Sequence, residues 1–264
     1  MYPFSFHQTT NVAQSVSLKK EHTEAKFIAG GQSLIGVMKL RLDKPAQLIN
    51  LGSIPELSGI CVEGKTLTIG AMTRHAQVAA SEDVKKCIPG ISQLAGLIAD
   101  RMVRNMGTIG GSVANNDPAA DYPACLLGLN ATIITNQREI KADDFFLGMF
   151  ETALESSELI QSIRFTAPIK SAYAKFKHPA SRYAVVGVFV AQFSGEVRVA
   201  VTGAGSSVFR LTEVEKALSS NFSADVLEAI HISADGLNSD FFADSEYRAH
   251  LIKLMAIQAV NNAK

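Results

Sequence analysis

Thr108-Ile109-Gly110-Gly111-Ser112-Val113-Ala114-Asn115-Asn116-Asp117-Pro118-Ala119-Ala120-Asp121 is the stretch on which the reading of this chain turns. With Gly107 just before it, three glycines fall within five residues, an entropic cost that a plain connection does not require. The Thr, Ser, Asn and Asp side chains around them can hydrogen-bond a polar ligand. A second pair stands about 80 residues upstream in Ala29-Gly30-Gly31-Gln32-Ser33-Leu34, after an extended segment and before a helical one. In that geometry backbone N–H groups and a helix N-terminus face an anion, and Ser33 can cap the helix or add a hydroxyl donor. A Gly-Gly at a strand-to-helix turn is more often only a turn. Together the two pairs suggest a clamp, each holding one side of a diphosphate, with Asp121 accepting from a ribose hydroxyl. The plain alternative for Asp121 is a helix cap before Pro123. Neither G-x-G-x-x-G nor G-x-x-x-x-G-K-[ST] spacing is met, so the two common nucleotide-binding motifs are excluded.

Outward from these stretches the pattern is α+β. Strand, helix, strand, helix and strand follow one another to about Leu51, with helical spacing over Val12–Leu18 and Leu34–Leu42 and extended segments at Lys26–Ala29 and Gln47–Leu51. Ile60–Val62 and Thr66–Ile69 read as a hairpin, and Ser81–Asp100 as a helical region broken at Pro89-Gly90. Asp121–Leu127 reads as a short helix, and Ala131–Thr135 and Leu159–Phe165 as strands. Tyr183–Phe193 and Val197–Thr202 form a further strand pair, followed by helices at Leu211–Leu218, Ala224–Ile232 and Ser245–Asn261. The divisions expected are 1–58, 59–168 and 169–264, closely packed because no Pro- or Ser-rich linker separates them.

Composition narrows the function. The 264 residues are 47% hydrophobic, enough for a folded core, and 25 basic residues balance 25 acidic ones, which disfavours a general nucleic-acid binder. The longest apolar run, about Tyr183 to Ala191, is half a membrane span, and the N-terminal residues lack a secretory pattern, so a cytoplasmic protein without a membrane span is expected. Cys61, Cys87 and Cys125 and the six histidines are scattered without ligand spacing, so no disulfide framework, metal or iron–sulfur site is expected. No residue is singled out as catalytic.

The paired glycine motifs, Tyr2-Pro3-Phe4, Met38-Lys39-Leu40-Arg41-Leu42, Val197–Arg210 and Glu246-Tyr247-Arg248-Ala249-His250-Leu251 together resemble the FAD-binding medium subunits of the molybdenum hydroxylases, the group that includes carbon monoxide dehydrogenase and xanthine dehydrogenase. The resemblance covers nearly the whole chain. It implies a two-part FAD-binding domain of the vanillyl-alcohol oxidase (PCMH) type followed by a smaller C-terminal α+β domain. It places FAD against Lys26, Ile28, Ala29, Gly30, Gly31, Gln32, Ser33 and Leu34 in the first loop and Thr108, Ile109, Gly110, Gly111 and Ser112 in the second, with Asp121 at the ribose and Ile98, Ile160 and Lys175 as further contacts. Ser112 stands where the family often has Asn, and Asn115 where it often has His. The segment Lys177-His178-Pro179-Ala180-Ser181-Arg182-Tyr183 is similar to the carbon monoxide dehydrogenase type rather than the NAD-reducing type, and Tyr183 would lie over the isoalloxazine; its plain alternative is a half-buried strand aromatic.

The resemblance implies an electron-transfer flavoprotein subunit, an oxidoreductase component that takes electrons from a partner's iron–sulfur cluster and passes them to an external acceptor. A quinone, a cytochrome, oxygen or a dye is expected before NAD. The implied partners are a large molybdenum-cofactor subunit and a small two-iron two-sulfur subunit, in a hetero-oligomer arranged as a dimer of heterotrimers. The rival readings are a non-redox scaffold that has lost FAD and a self-sufficient flavin reductase.

Overall fold

A computed structural model describes residues 1–264. Three principal sheets follow one another along the chain. Strands Ser5–Gln8, Lys26–Ile28 and Gln47–Asn50 form a parallel three-stranded sheet in which the last strand is central. Parallel neighbours need crossover connections, and these are the helices Val12–Glu21 and Leu34–Lys39. Asn11 caps the first of these with its side chain on the N–H of Gln14. The second ends just before Arg41, whose φ of +59° takes the backbone out of helical geometry, so it is shorter than the sequence pattern suggests.

The second sheet is antiparallel: Ile60–Glu63 and Thr66–Gly70 form the expected hairpin, and Ile160–Thr166 lies between Thr66–Gly70 and Thr132–Thr135, with Glu139–Lys141 at the far edge. Helices Glu82–Cys87, Pro89–Leu97 and Tyr122–Gly128 contribute to the largest core. Pro89 starts its helix rather than breaking one, because at the first helical position the missing N–H costs nothing.

The third sheet joins Lys170–Lys177, Ala184–Gln192, Val197–Thr202 and Phe209–Arg210 in antiparallel order, covered by the long helix Ser245–Asn262. Its central strands are buried at nearly every position, with one side turned to the main core and the other to a separate core of valines and the C-terminal helices. Several elements depart from the sequence pattern. Helices His75–Ala80, Arg101–Met106 and Ile109–Asn115 and strand Lys170–Lys177 were not expected, and the helix expected over Ala224–Ile232 is only the single turn Asp225–Glu228. No helix is long and apolar enough to cross a membrane.

Candidate functional site

The first glycine pair lies where strand Lys26–Ile28 ends and the chain turns into helix Leu34–Lys39. Gly31 makes the turn at φ +73°, a conformation that L side chains rarely adopt. The backbone N–H groups of Ala29, Gly30, Gly31, Gln32, Ser33 and Leu34 find no acceptor within the protein, and Ser33 does not use its hydroxyl as a cap. Six consecutive donors are thus available to one anionic ligand.

The second pair is built differently. It forms the first turn of helix Ile109–Asn115, where Thr108 Oγ1 accepts the Gly111 N–H at 3.2 Å. The Ile109 N–H donates to Thr73 O at 3.1 Å and the Gly110 N–H to Ala71 O at 2.8 Å. These donors are committed to docking the helix onto the chain that follows strand Thr66–Gly70. A Cβ on Gly110 would lie 2.5 Å from Ala71 Cβ, and one on Gly30 would lie 2.1 Å from the Met106 carbonyl oxygen. Glycine is needed at both positions because backbones meet there. The two motifs therefore pack against each other: the first offers N–H groups, and the second supplies a bare wall formed by Gly110 and Gly111.

Both face a cavity of about 960 Å³. Every residue singled out from the sequence lines it except Thr108, Ile109 and Lys175. Thr108 serves as the helix cap, and Ile109 is fully buried in the main core. Lys175 stands behind Asp121. Asp121 itself is buried at the cavity, accepting from Tyr173 Oη at 2.6 Å and from Lys175 Nζ at 2.9 Å. Burial pushes the Asp121 carboxyl above the usual carboxylate range, while Lys175 and Tyr173 oppose that shift. Asp121 does not cap helix Tyr122–Gly128 with its side chain. Its carboxylate has acceptor sites beyond the two contacts and can take a ligand hydroxyl as well.

Several cavity residues escaped sequence reasoning, His75, Ala99, Phe150 and Arg182 among them. His75, the first residue of helix His75–Ala80, is 5% exposed, and its Nδ1 has no hydrogen-bond partner. Burial, reinforced by the charge of Arg104, lowers its pKa to about 4, so the imidazole is neutral at pH 7. Ala99, Phe150 and Arg182 line the cavity with left-handed backbones at φ +41°, +56° and +62°. Strain of this kind gathers around binding sites, but it leaves no mark in a sequence read for glycine. Tyr183 completes the wall, half exposed, its phenol pushed up by burial and by the charges of Asp117 and Asp121.

Residues 2–168 match the family described as "FAD binding domain in molybdopterin dehydrogenase". The chain belongs to this family. It is 34% identical to the carbon monoxide dehydrogenase medium chain of Hydrogenophaga pseudoflava, over 98% of this chain and 96% of that one. It is 32% identical to the glyceraldehyde dehydrogenase medium chain of Sulfolobus acidocaldarius, over 98% of each. Among solved structures, the reconstituted carbon monoxide dehydrogenase from Oligotropha carboxidovorans superposes with a TM-score of 0.90 at 32% identity, over 99% of this chain and 98% of that one. FAD is the cofactor, and the protein is an oxidoreductase component of the molybdenum hydroxylase type, as the resemblance implied. The residues present fit that cofactor. The six free N–H groups suit its diphosphate, and Ile28, Val37, Leu51, Met72 and Val103 supply apolar surface in the same cavity.

Proposed function

We propose that this flavin subunit holds the FAD diphosphate on the N–H groups of Ala29–Leu34, a ribose hydroxyl on Asp121 and the isoalloxazine beneath Tyr183, and passes electrons from a small iron–sulfur subunit to an acceptor other than NAD. The observation that carries the reading is the run of six unpaired donors on one wall of a cavity that Tyr183 also lines. Bound FAD supplies the redox chemistry, taking electrons from the partner's cluster and releasing them to the acceptor. The chain's own residues bind, orient and shield. Lys26 is drawn to Asp43 rather than into the cradle, leaving neutral backbone donors to meet the phosphates. Ser112 and Asn115 add free polar side chains near the Gly111 wall. Lys175 fixes Asp121, so the carboxylate presents the same edge to a ribose in every molecule.

The units 1–58, 59–168 and 169–264 divide this work: the first carries the cradle, the second the wall, and the third Tyr183. The partners are a large molybdenum subunit and the small iron–sulfur subunit, in a dimer of heterotrimers. The three free cysteines, none paired, are in keeping with a cytoplasmic complex. Nicotinamide must stack on a face of the flavin, and Tyr183, placed over the ring, would cover one such face. The assembled complex is therefore expected to reduce a phenazine dye with its substrate and leave NAD unchanged, and rapid NADH formation would overturn the choice of acceptor. In the same complex Gly31→Val is expected to abolish FAD retention, since the position has positive φ and its Cβ would lie 2.6 Å from Ile35 Cδ1. Wild-type occupancy in that variant would refute the cradle.

A further inference from the structure

Strands Lys170–Lys177 and Ala184–Gln192 are joined by six residues, His178 to Tyr183, whose far end reaches the cavity with Ser181, Arg182 and Tyr183. Pro179 through Tyr183 are all exposed, so burial does not fix their course. Hydrogen bonds do: one runs from the Tyr183 N–H to Ser181 Oγ at 3.4 Å, and four are made with His178. The His178 N–H donates to Tyr183 O at 2.8 Å and the Arg182 N–H to His178 O at 2.9 Å, closing the base of the loop. Within the loop, the N–H groups of Ala180 and Ser181 both point to His178 Nδ1, each at 3.2 Å. The outer side of the imidazole meets Phe242 edge to face, with centroids 4.2 Å apart and planes at 89°. Phe242 is held in turn by Asp240, whose Oδ1 accepts its N–H at 2.8 Å. Arg182, at φ +62°, is held in a conformation that needs such support.

We propose that His178 is the positioning residue that holds Arg182 and Tyr183 at the flavin, by accepting two successive backbone N–H groups at Nδ1. The role requires a lone pair at Nδ1 and hence the proton on Nε2. It rests on the reading that Tyr183 lies over the flavin, and it extends that reading from the residue that covers the ring to the residue that keeps the cover in place.

The test uses the FAD-loaded full chain and four variants. His178→Ala removes the acceptor and the ring; His178→Phe keeps a ring against Phe242 but has no acceptor. His178→Asn restores an acceptor, since an Asn side chain readily takes the N–H two residues on. Site-resolved amide exchange at Ala180 and Ser181 is expected to quicken about fivefold or more in the Ala and Phe variants and to stay within about twofold of wild type in the Asn variant. Flavin emission is expected to rise in the same two variants as Tyr183 leaves the ring, with far-ultraviolet circular dichroism unchanged. Wild-type exchange in His178→Phe, or exchange in His178→Asn as fast as in His178→Ala, would overturn the proposal. Tyr183→Leu separates the two ideas: unchanged emission there refutes the placement of Tyr183 on the flavin, while amide exchange in the His178 variants still decides the loop.

Discussion

His75 is a buried base whose titration can be worked out in advance. Its ordinary value of 6.5 is lowered to about 4 by burial first and by the Arg104 charge second. Between those limits the unfolded chain takes up a proton that the folded chain refuses. The stabilising contribution is therefore complete above pH 6.5 and is lost as the pH falls toward 4. At about 1.4 kcal/mol per unit, the whole interval is worth roughly 3 kcal/mol. Because the side chain is 5% exposed, solvent screening takes little from that figure. Carboxylates titrate over part of the same range, so the measurement must be differential. Urea unfolding of the wild type and His75→Phe, compared at pH 7 and pH 4.5, is expected to show the wild type losing about 2–3 kcal/mol more than the variant. In parallel, the imidazole resonance of His75 should stay in its neutral position down to about pH 5. A His75 resonance titrating near 6.5, or equal losses in the two proteins, would refute the reasoning. At pH 7 the ring therefore faces the cavity as a neutral hydrogen-bonding group and not as a cation.

Gly30→Ala should destabilise the protein by about 1–3 kcal/mol and release FAD, because the new methyl is driven into the Met106 carbonyl; thermal melting and flavin absorbance would show both. At Gly111 the nearest atom to a Cβ is Thr108 Oγ1 at 2.9 Å, so Gly111→Ala should stay within about 1 kcal/mol of wild type while lowering FAD affinity, read by a flavin titration. Asp121→Asn leaves the Lys175 ammonium buried without its partner and should cost about 3–5 kcal/mol in urea unfolding. The double variant Asp121→Asn with Lys175→Met should recover most of that loss, whereas additive losses would show that the pair is not coupled.

Much of the fold could be read because its elements keep simple periods. The hairpin at Glu63–Thr66 and the strands Ala184–Gln192 and Val197–Thr202 are marked by β-branched runs and a Ser194-Gly195 turn. Helix Ile109–Asn115 could not be read in the same way. Two adjacent glycines argue against a helix, and the Thr108 cap together with the Ala71 and Thr73 carbonyls overrules them. Strand Lys170–Lys177 was hidden because Ser171 through Ala174 are buried consecutively, on both faces, and show no alternation. At the site, the two glycine loops, Asp121 and Tyr183 were found from the family motif, but the division of labour between the loops was not. Unpaired N–H groups in one loop and committed ones in the other depend on neighbours about 40 residues away in the chain, Ala71 and Thr73, which no local pattern reveals.

The unequal commitment of the two glycine motifs bears on how the protein acquires its cofactor. All six free donors belong to the N-terminal unit, whose own apolar packing is confined to two small clusters, one around Met38 and Leu48 and one around Val12 and Leu51. The wall they face is anchored in the largest core of the molecule. The wall thus rests on the larger core, and the loop with the free donors on the smaller ones. With FAD placed on that loop as proposed above, its binding would lend stability to the N-terminal sheet by mass action.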